Sequence, residues 1–152
     1  MANALVGIVL GSKNDAEKVK KAQEILDNYG IAWEINFLSA HRTPNKAAEY
    51  AKSARGRGLK CIIAGAGLAA ALPGVIAAHT TLPVIGLPVC AGPLNGLDAL
   101  YSIVQMPPGI PVACVGIDNS ANAAHLAAQI VSASVPEVVK KIEEFRAGFG
   151  DS

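Results

Sequence analysis

Short apolar runs alternate with stretches of helical periodicity along the whole chain. Short continuous apolar runs are typical of strands that are buried on both faces of a parallel sheet. Runs of this kind predict strands over residues 4–10, 32–38, 61–64, 83–88 and 111–117. The run at 32–38 is mixed in polarity, so we expect that strand nearer an edge of the sheet.

Helical patterns fill the segments between these runs. The first predicted helix is capped by Ser12 or Asn14 and ends near Asn28, just before Gly30. Further helices are predicted over residues 45–57, through small residues to about 78, and over 94–104, 119–132 and 136–145. Regular alternation of strand and helix predicts an α/β fold in a single domain, residues 1–152. The expected architecture is a three-layer α/β/α sandwich with a doubly wound, flavodoxin-like parallel sheet of about five strands.

Composition narrows the class of protein. Charged residues make up 16% of the chain and the net charge is +1, so we expect no binding to nucleic acid or to a membrane surface. No apolar run reaches the ~18 residues of a membrane span, and no signal peptide is recognisable. Few charges together with many alanines and glycines predict a homo-oligomer that buries the apolar middle of the chain.

The cysteines Cys61, Cys90 and Cys114 form no C-x-x-C pair. We interpret them as buried structural thiols in a reducing cytosol, which predicts a cytoplasmic protein. A catalytic Cys90, at the end of a predicted strand, is the alternative, but no neighbouring residue supplies a base for it.

Two polar segments follow predicted strands and open predicted helices: residues 11–15 (GSKND) and 39–44 (SAHRTP). Because strand ends of a parallel sheet meet at one edge, where small ligands bind, we expect Ser12, Asp15, His41 and Arg42 to converge there. A hydroxyl, a carboxylate, an imidazole and a guanidinium can hold a phosphorylated sugar and move a proton beside it. The alternative is a pair of polar helix caps and a chance histidine.

Each side chain suits a different part of such a ligand. Backbone N–H groups after Gly11 and the guanidinium of Arg42 suit a phosphate, and Asp15 suits ribose hydroxyls or the helix dipole. The glycines of Gly65-Ala66-Gly67 allow either close approach of a ligand or tight packing of a helix on the sheet.

Metal and nucleotide-cofactor sites find little support in the sequence. No two histidines have metal-ligand spacing, and neither a complete dinucleotide fingerprint nor a Walker sequence is present. His79 and His125 are interpreted as solvated or packed side chains rather than as ligands or catalysts.

Seven segments together resemble the PurE family of purine biosynthesis, and most closely its class I enzymes. They are residues 11–15, 39–44, 63–67 (IAGAG), 72–74 (LPG), 82–86 (LPVIG), 94–98 (LNGLD) and 102–107 (SIVQMP). The resemblance covers nearly the whole chain. It implies a homo-octamer with sites between subunits, and a reaction that needs neither a cofactor nor a metal.

The implied reaction moves the carboxyl group of N5-carboxyaminoimidazole ribonucleotide from the exocyclic nitrogen to ring carbon C4 through trapped CO2. By motif position His41 is the residue that protonates the nitrogen and then takes the C4 proton. Ser12 and Arg42 match positions near the phosphate, and Asp15 matches one near the ribose. Ser39 and Gly65-Ala66-Gly67 complete the pocket around the base and CO2.

The chain departs from the class I pattern at Asn14, where Ser is frequent, at Leu68, where Gly is frequent, and at Ala71, where many members carry His. Two alternatives therefore stay open. One is direct carboxylation of aminoimidazole ribonucleotide with CO2, the reaction of the class II enzymes. The other is a catalytically silent nucleotide-binding relative.

Overall fold

Five parallel strands form a single sheet in the computed structural model, which describes residues 3–150. The strands are β1 (Val6–Leu10), β2 (Trp33–Phe37), β3 (Cys61–Gly67), β4 (Val84–Val89) and β5 (Ala113–Cys114). Their order in the sheet is β2-β1-β3-β4-β5, and every neighbouring pair is parallel. The four outermost residues of the predicted domain, 1–2 and 151–152, lie outside the described residues.

Helices connect successive strands. A 3-10 helix over Lys13–Val19 leads directly into α1 (Lys20–Asn28). The other helices are α2 (Pro44–Ala54), α3 (Leu72–Ala78), α4 (Leu97–Val104), α5 (Ser120–Ser132) and α6 (Pro136–Ala147).

The helices cover both faces of the sheet and form two apolar cores. On one face, Val6, Ile8 and Leu10 of β1 pack with buried residues of α1, α5 and α6. On the other face, Val9 and the alternate residues of β3 pack with α2, α3 and α4. Alternation of side chains along buried strands therefore feeds both layers. The predicted three-layer, doubly wound fold is confirmed, and so is the edge position of β2.

Three elements differ from their predicted form. The predicted strand at 111–117 shrinks to Ala113–Cys114 because Pro111 lacks an N–H and the chain turns away at Asp118, whose φ is 55°. The first helix begins with 3-10 turns, since Val19 is the buried residue of that segment and little packing favours an α-helix there. β3 runs on to Gly67 because β4 pairs with it as far as Val89.

The order in which strands are added to the sheet reverses at β1, since β2 lies on one side of β1 and all later strands lie on the other. The switch point lies between β1 and β3. The backbone N–H of Gly11, just after β1, donates a hydrogen bond of 3.2 Å to the carbonyl oxygen of Gly65 in β3. Ligands of open α/β sheets bind at such a switch point, beyond the carboxyl ends of the strands. The fold therefore points to the loops after β1, β2 and β3.

Candidate active site

A cavity of about 580 Å³ opens at this switch point. Its lining comes from the loops after β1, β2 and β3, with one residue from the loop after β4. The lining residues are Gly11, Ser12, Asn14, Asp15, Ser39, Ala40, His41, Arg42, Ala66, Gly67, Leu68, Ala69, Ala70, Ala71, Leu72 and Ala91. Its volume is that of an ordinary small-molecule site.

The first wall is built by the turn after β1. Ser12 caps the 3-10 helix, and its Oγ accepts a hydrogen bond of 3.2 Å from the backbone N–H of Asn14. Asp15 follows in the first turn, with its own N–H bonded to the carbonyl oxygen of Ser12 at 3.2 Å. This short cap holds the hydroxyl and the carboxylate at the same wall of the cavity.

The second wall is the SAHRTP segment, which closes on itself. Ser39 Oγ accepts a 3.1 Å bond from the N–H of Arg42, and Thr43 Oγ1 donates a 3.1 Å bond to the carbonyl oxygen of Ser39. Thr43 Oγ1 also accepts a bond of 3.0 Å from the N–H of Ser39. With Pro44 starting α2, this turn is fixed by its own backbone, while the exposed side chains of His41 and Arg42 remain available to a ligand.

The third wall is apolar and comes from the end of β3 and the segment before α3. It combines Ala66, Gly67, Leu68 and the residues up to Leu72. Gly65 does not line the cavity: a Cβ at this position would lie 2.7 Å from Cδ2 of Leu10, so its missing side chain serves packing within the sheet. The sequence left open either close approach of a ligand or packing of a helix on the sheet; the contacts at Gly65 are instead with side chains of the neighbouring strands, Leu10 of β1 and Leu87 of β4.

The cavity brings together seven of the eight predicted site residues, Gly65 being the exception; the seven are Ser12, Asp15, Ser39, His41, Arg42, Ala66 and Gly67. Asn14, Leu68 and Ala71, where the chain departs from the class I pattern, also line it. Leu68 has a φ of 55°, a left-handed conformation that glycine adopts more readily. The departures are therefore concentrated at the cavity.

Burial sets the electrostatics of Asp15. It raises the pKa of the Asp15 carboxyl above its ordinary value, while Lys18 opposes the rise and Asp118 adds to it. A carboxylate with reduced access to water is suited to accepting hydrogen bonds from ligand hydroxyls. Neither Lys18 nor Asp118 stood out in the sequence, because they lie 100 positions apart.

The remaining candidates lie elsewhere. Cys61 is buried in β3, and burial raises the pKa of its thiol to about 12. Cys90 and Cys114 are only half-buried, so the prediction of buried thiols is wrong for these two: Cys90 follows the end of β4, and Cys114 lies in the edge strand β5. Cys90 does not line the cavity, which argues against the catalytic alternative. His125 packs against Tyr29 and Phe145 instead of facing the cavity.

Within residues 3–150, no group of three or more His, Cys, Asp or Glu side chains could hold a metal ion. None of the helices described there is long and apolar enough to cross a membrane.

Fold and site define an α/β protein with a small-molecule cavity at the carboxyl edge of a doubly wound sheet. The AIR carboxylase family model matches residues 5–151. The N5-carboxyaminoimidazole ribonucleotide mutase of Thermotoga maritima is 55% identical over 141 residues, which are 93% of this chain and 82% of that protein. The chain belongs to the AIR carboxylase (PurE) family.

Two other relatives extend this comparison. The phosphoribosylaminoimidazole carboxylase of Schizosaccharomyces pombe is 51% identical over 141 residues, which are 93% of this chain and 26% of that protein. The crystal structure of Treponema denticola PurE matches with a TM-score of 0.86 at 30% identity, covering 95% of this chain and 90% of that one.

Proposed function

We propose that this protein is an isomerase that interconverts N5-carboxyaminoimidazole ribonucleotide and 4-carboxy-5-aminoimidazole ribonucleotide in de novo purine (IMP) biosynthesis. The observation that carries the proposal is the grouping of Ser12, Asp15, His41 and Arg42 around one cavity. It occurs in a chain that is 55% identical to a protein named for this mutase activity.

The cavity offers a distinct partner for each part of the ribonucleotide. Arg42 and the hydroxyl of Ser12 bind the phosphate, because a guanidinium matches phosphate oxygens with two parallel hydrogen bonds. Asp15 accepts hydrogen bonds from the ribose hydroxyls. Ser39 and the backbone of Ala66 and Gly67 surround the base.

His41 moves the one proton that the reaction needs. The carbamate N–C bond breaks to release CO2 as His41 gives a proton to the exocyclic nitrogen. The ring carbon C4 then forms a bond to the same CO2, and the C4 proton returns to His41. No proton is gained or lost overall, and no cofactor or metal takes part. An imidazole suits this cycle because it changes charge near neutral pH.

The apolar wall keeps CO2 in place between the two steps. Ala70, Ala71 and Leu72 contribute side chains without hydrogen-bonding groups, so water gains little by entering beside them. Positioning of the substrate and exclusion of water supply the rest of the catalysis. No more is needed, because a ring carbon next to an amino group is already nucleophilic.

Replacing His41 tests the proton role directly. We expect His41→Asn to lower kcat by about 10²–10⁴-fold, the usual contribution of a general acid or base. The Kd of 4-carboxy-5-aminoimidazole ribonucleotide, measured by calorimetry, should stay close to that of the unchanged protein. The matched control is His79→Asn, since His79 follows α3 and does not line the cavity. Normal turnover by His41→Asn would refute the proposed role.

Direct carboxylation of aminoimidazole ribonucleotide is the second candidate, because the relative from Schizosaccharomyces pombe is named a carboxylase. The two activities differ in the substrate that is consumed. A protein that binds the product but turns over neither substrate would instead be a silent nucleotide-binding relative.

We further propose a homo-oligomer, with the octamer of the resemblance as the expected size. Leu94, Leu97, Tyr101 and Val104 form a strip along α4 and the residues before it, and their exposed fractions are 56%, 48%, 63% and 46%. Side chains spaced by three and four residues share one helix face, and a contiguous exposed apolar face marks an interaction surface. The free thiols of the three cysteines favour a cytoplasmic location.

A further inference from the structure

An ion pair joins two distant parts of the chain, one of them the 3-10 helix that carries Asp15. Lys18 Nζ, in the 3-10 helix, lies 2.6 Å from Oδ2 of Asp118, in the turn between β5 and α5. The two side chains are 39% and 33% exposed. Ion pairs of this exposure contribute little to stability by themselves, so the position of the pair matters more than its strength.

Asp118 also fixes the backbone of the loop after β4. Its second carboxylate oxygen, Oδ1, accepts a hydrogen bond of 2.9 Å from the N–H of Cys90. Its own N–H donates a bond of 2.8 Å to the carbonyl oxygen of Pro88. Ala91, the next residue, lines the cavity. A left-handed backbone conformation at Asp118, with a φ of 55°, accompanies this double attachment.

Lys18 lies on the same face of the 3-10 helix as Asp15, the carboxylate of the candidate site. In a 3-10 helix, side chains at positions i and i+3 eclipse one another, so Lys18 follows Asp15 on one face. The ammonium group of Lys18 pairs with Asp118 and acts through its charge on Asp15. His41 and Arg42 are the other charged or titratable groups that line the cavity.

We propose that Lys18 and Asp118 are positioning residues for the cavity: Asp118 holds the loop after β4 and anchors Lys18, whose ammonium group favours the ionised form of Asp15. The role of Asp118 as an anchor rests on the hydrogen-bond geometry. The role of the Lys18 charge depends on the proposed function only because an ionised Asp15 is needed to bind the ribose.

The effects of the two charges on Asp15 have opposite signs. Lys18 lowers the pKa of Asp15 and Asp118 raises it, against the dominant rise from burial. A carboxylate is lost as the pH falls through its pKa, so a higher pKa moves the loss of ribonucleotide binding to higher pH. Removing the Lys18 charge should therefore move the acidic limb of binding to higher pH.

The titration of Asp15 can be followed without any substrate. We would record the carboxyl ¹³C shift of Asp15 against pH in the full chain, with the signal assigned by its loss in Asp15→Asn. We expect its pKa to rise in Lys18→Met and to return towards the original value in Lys18→Arg. Lys21→Met is the matched control, because Lys21 pairs with Glu24 on the exposed side of α1.

A second readout uses turnover. Asp118→Asn keeps a side-chain oxygen that can accept the hydrogen bond from the Cys90 N–H, whereas Asp118→Ala removes it. We therefore expect Asp118→Ala to give the larger rise in KM, with kcat unchanged. An Asp15 pKa that does not change in Lys18→Met would overturn the electrostatic part. Equal KM values for Asp118→Ala and Asp118→Asn would overturn the loop anchor. Because the NMR titration contains no substrate, failure of the proposed function would leave its result intact.

Discussion

At the scale of single residues, an aromatic cluster around His125 is the most distinctive feature outside the cavity. The Oη of Tyr29 lies 2.8 Å from Nδ1 of His125, and the rings of His125 and Phe145 have centroids 4.5 Å apart. Phe145 belongs to α6, so this cluster attaches the last helix to α1 and α5. Burial lowers the pKa of His125, and the charge of Arg146 lowers it further.

This lowered pKa predicts a pH-dependent stability. Unfolded His125 takes up a proton near its ordinary pKa of 6.5, whereas the folded protein resists protonation until the pH is lower. The contribution of the neutral imidazole is therefore present above about pH 6.5 and is lost as the pH falls through the folded pKa. Lys141 and Glu144 of α6 line the adjacent cavity together with His125.

The measurement is chemical unfolding of the original protein and of His125→Leu between pH 5 and pH 8, about 1.5 units on either side of the ordinary histidine pKa. We expect the difference in unfolding free energy between the two proteins to decrease as the pH falls. A difference that does not change with pH would contradict the burial of a neutral His125.

Residue chemistry could be predicted only where local sequence controls it. The wall positions of Ser12, Asp15, His41 and Arg42 follow from their places after predicted strands, and the cavity contains all four. The pair between Lys18 and Asp118 could not be predicted, because a contact between residues 100 positions apart depends on how the whole sheet assembles.

At the scale of elements, close packing between β4 and α4 depends on a missing side chain. A Cβ at Gly86 would overlap Cγ2 of Ile103 in α4 and would lie 2.9 Å from Cγ1 of Val112. The absence of a side chain thus lets α4 approach the sheet near its edge strand. The exposed strip of α4 lies on the same helix, so its position depends on this contact.

Gly86→Ala should therefore destabilise the protein. Crowding of a well-packed core by one methyl group costs about 1–3 kcal/mol, and denaturant unfolding measures this loss directly. Gly116→Ala is the control, because a Cβ there would meet atoms no nearer than 3.7 Å. Equal stability of Gly86→Ala and the original protein would show that α4 can shift without cost.

Elements were predicted best where the hydrophobic pattern is long and buried. The bounds of β1, β2 and β4 agree with the predicted runs to within two residues, since both faces of β1 and β4 are buried and turns flank each strand. β5 was overestimated because an edge strand ends where its pairing ends, which its own hydrophobicity does not specify. The 3-10 turns were missed because 3-10 and α periodicities differ little over seven residues.

At the scale of the whole molecule, the strip of Leu94, Leu97, Tyr101 and Val104 is the surface that most needs a partner. With charged residues at only 16% of the sequence, the chain has little polar surface to spare for solubility as a monomer. The strip belongs to the apolar middle that the sequence suggested for subunit contacts. The size of the proposed oligomer came only from the family resemblance, because symmetry depends on surface shape.

Charge placed in the strip tests the proposed oligomer. We expect Leu97→Glu combined with Tyr101→Glu to lower the mass measured by light scattering, because carboxylates in an apolar interface lose hydration without gaining partners. The control is Val139→Glu, whose side chain is 41% exposed on α6, away from the strip. An unchanged mass for the double variant would place the subunit contacts elsewhere.

The central claim is that this molecule moves a carboxyl group within its substrate. The most direct test follows formation of 4-carboxy-5-aminoimidazole ribonucleotide by ultraviolet absorbance in two parallel reactions. One contains N5-carboxyaminoimidazole ribonucleotide, and the other contains aminoimidazole ribonucleotide with bicarbonate. We predict faster product formation in the first reaction. Preference for the second would contradict the account and identify a direct carboxylase.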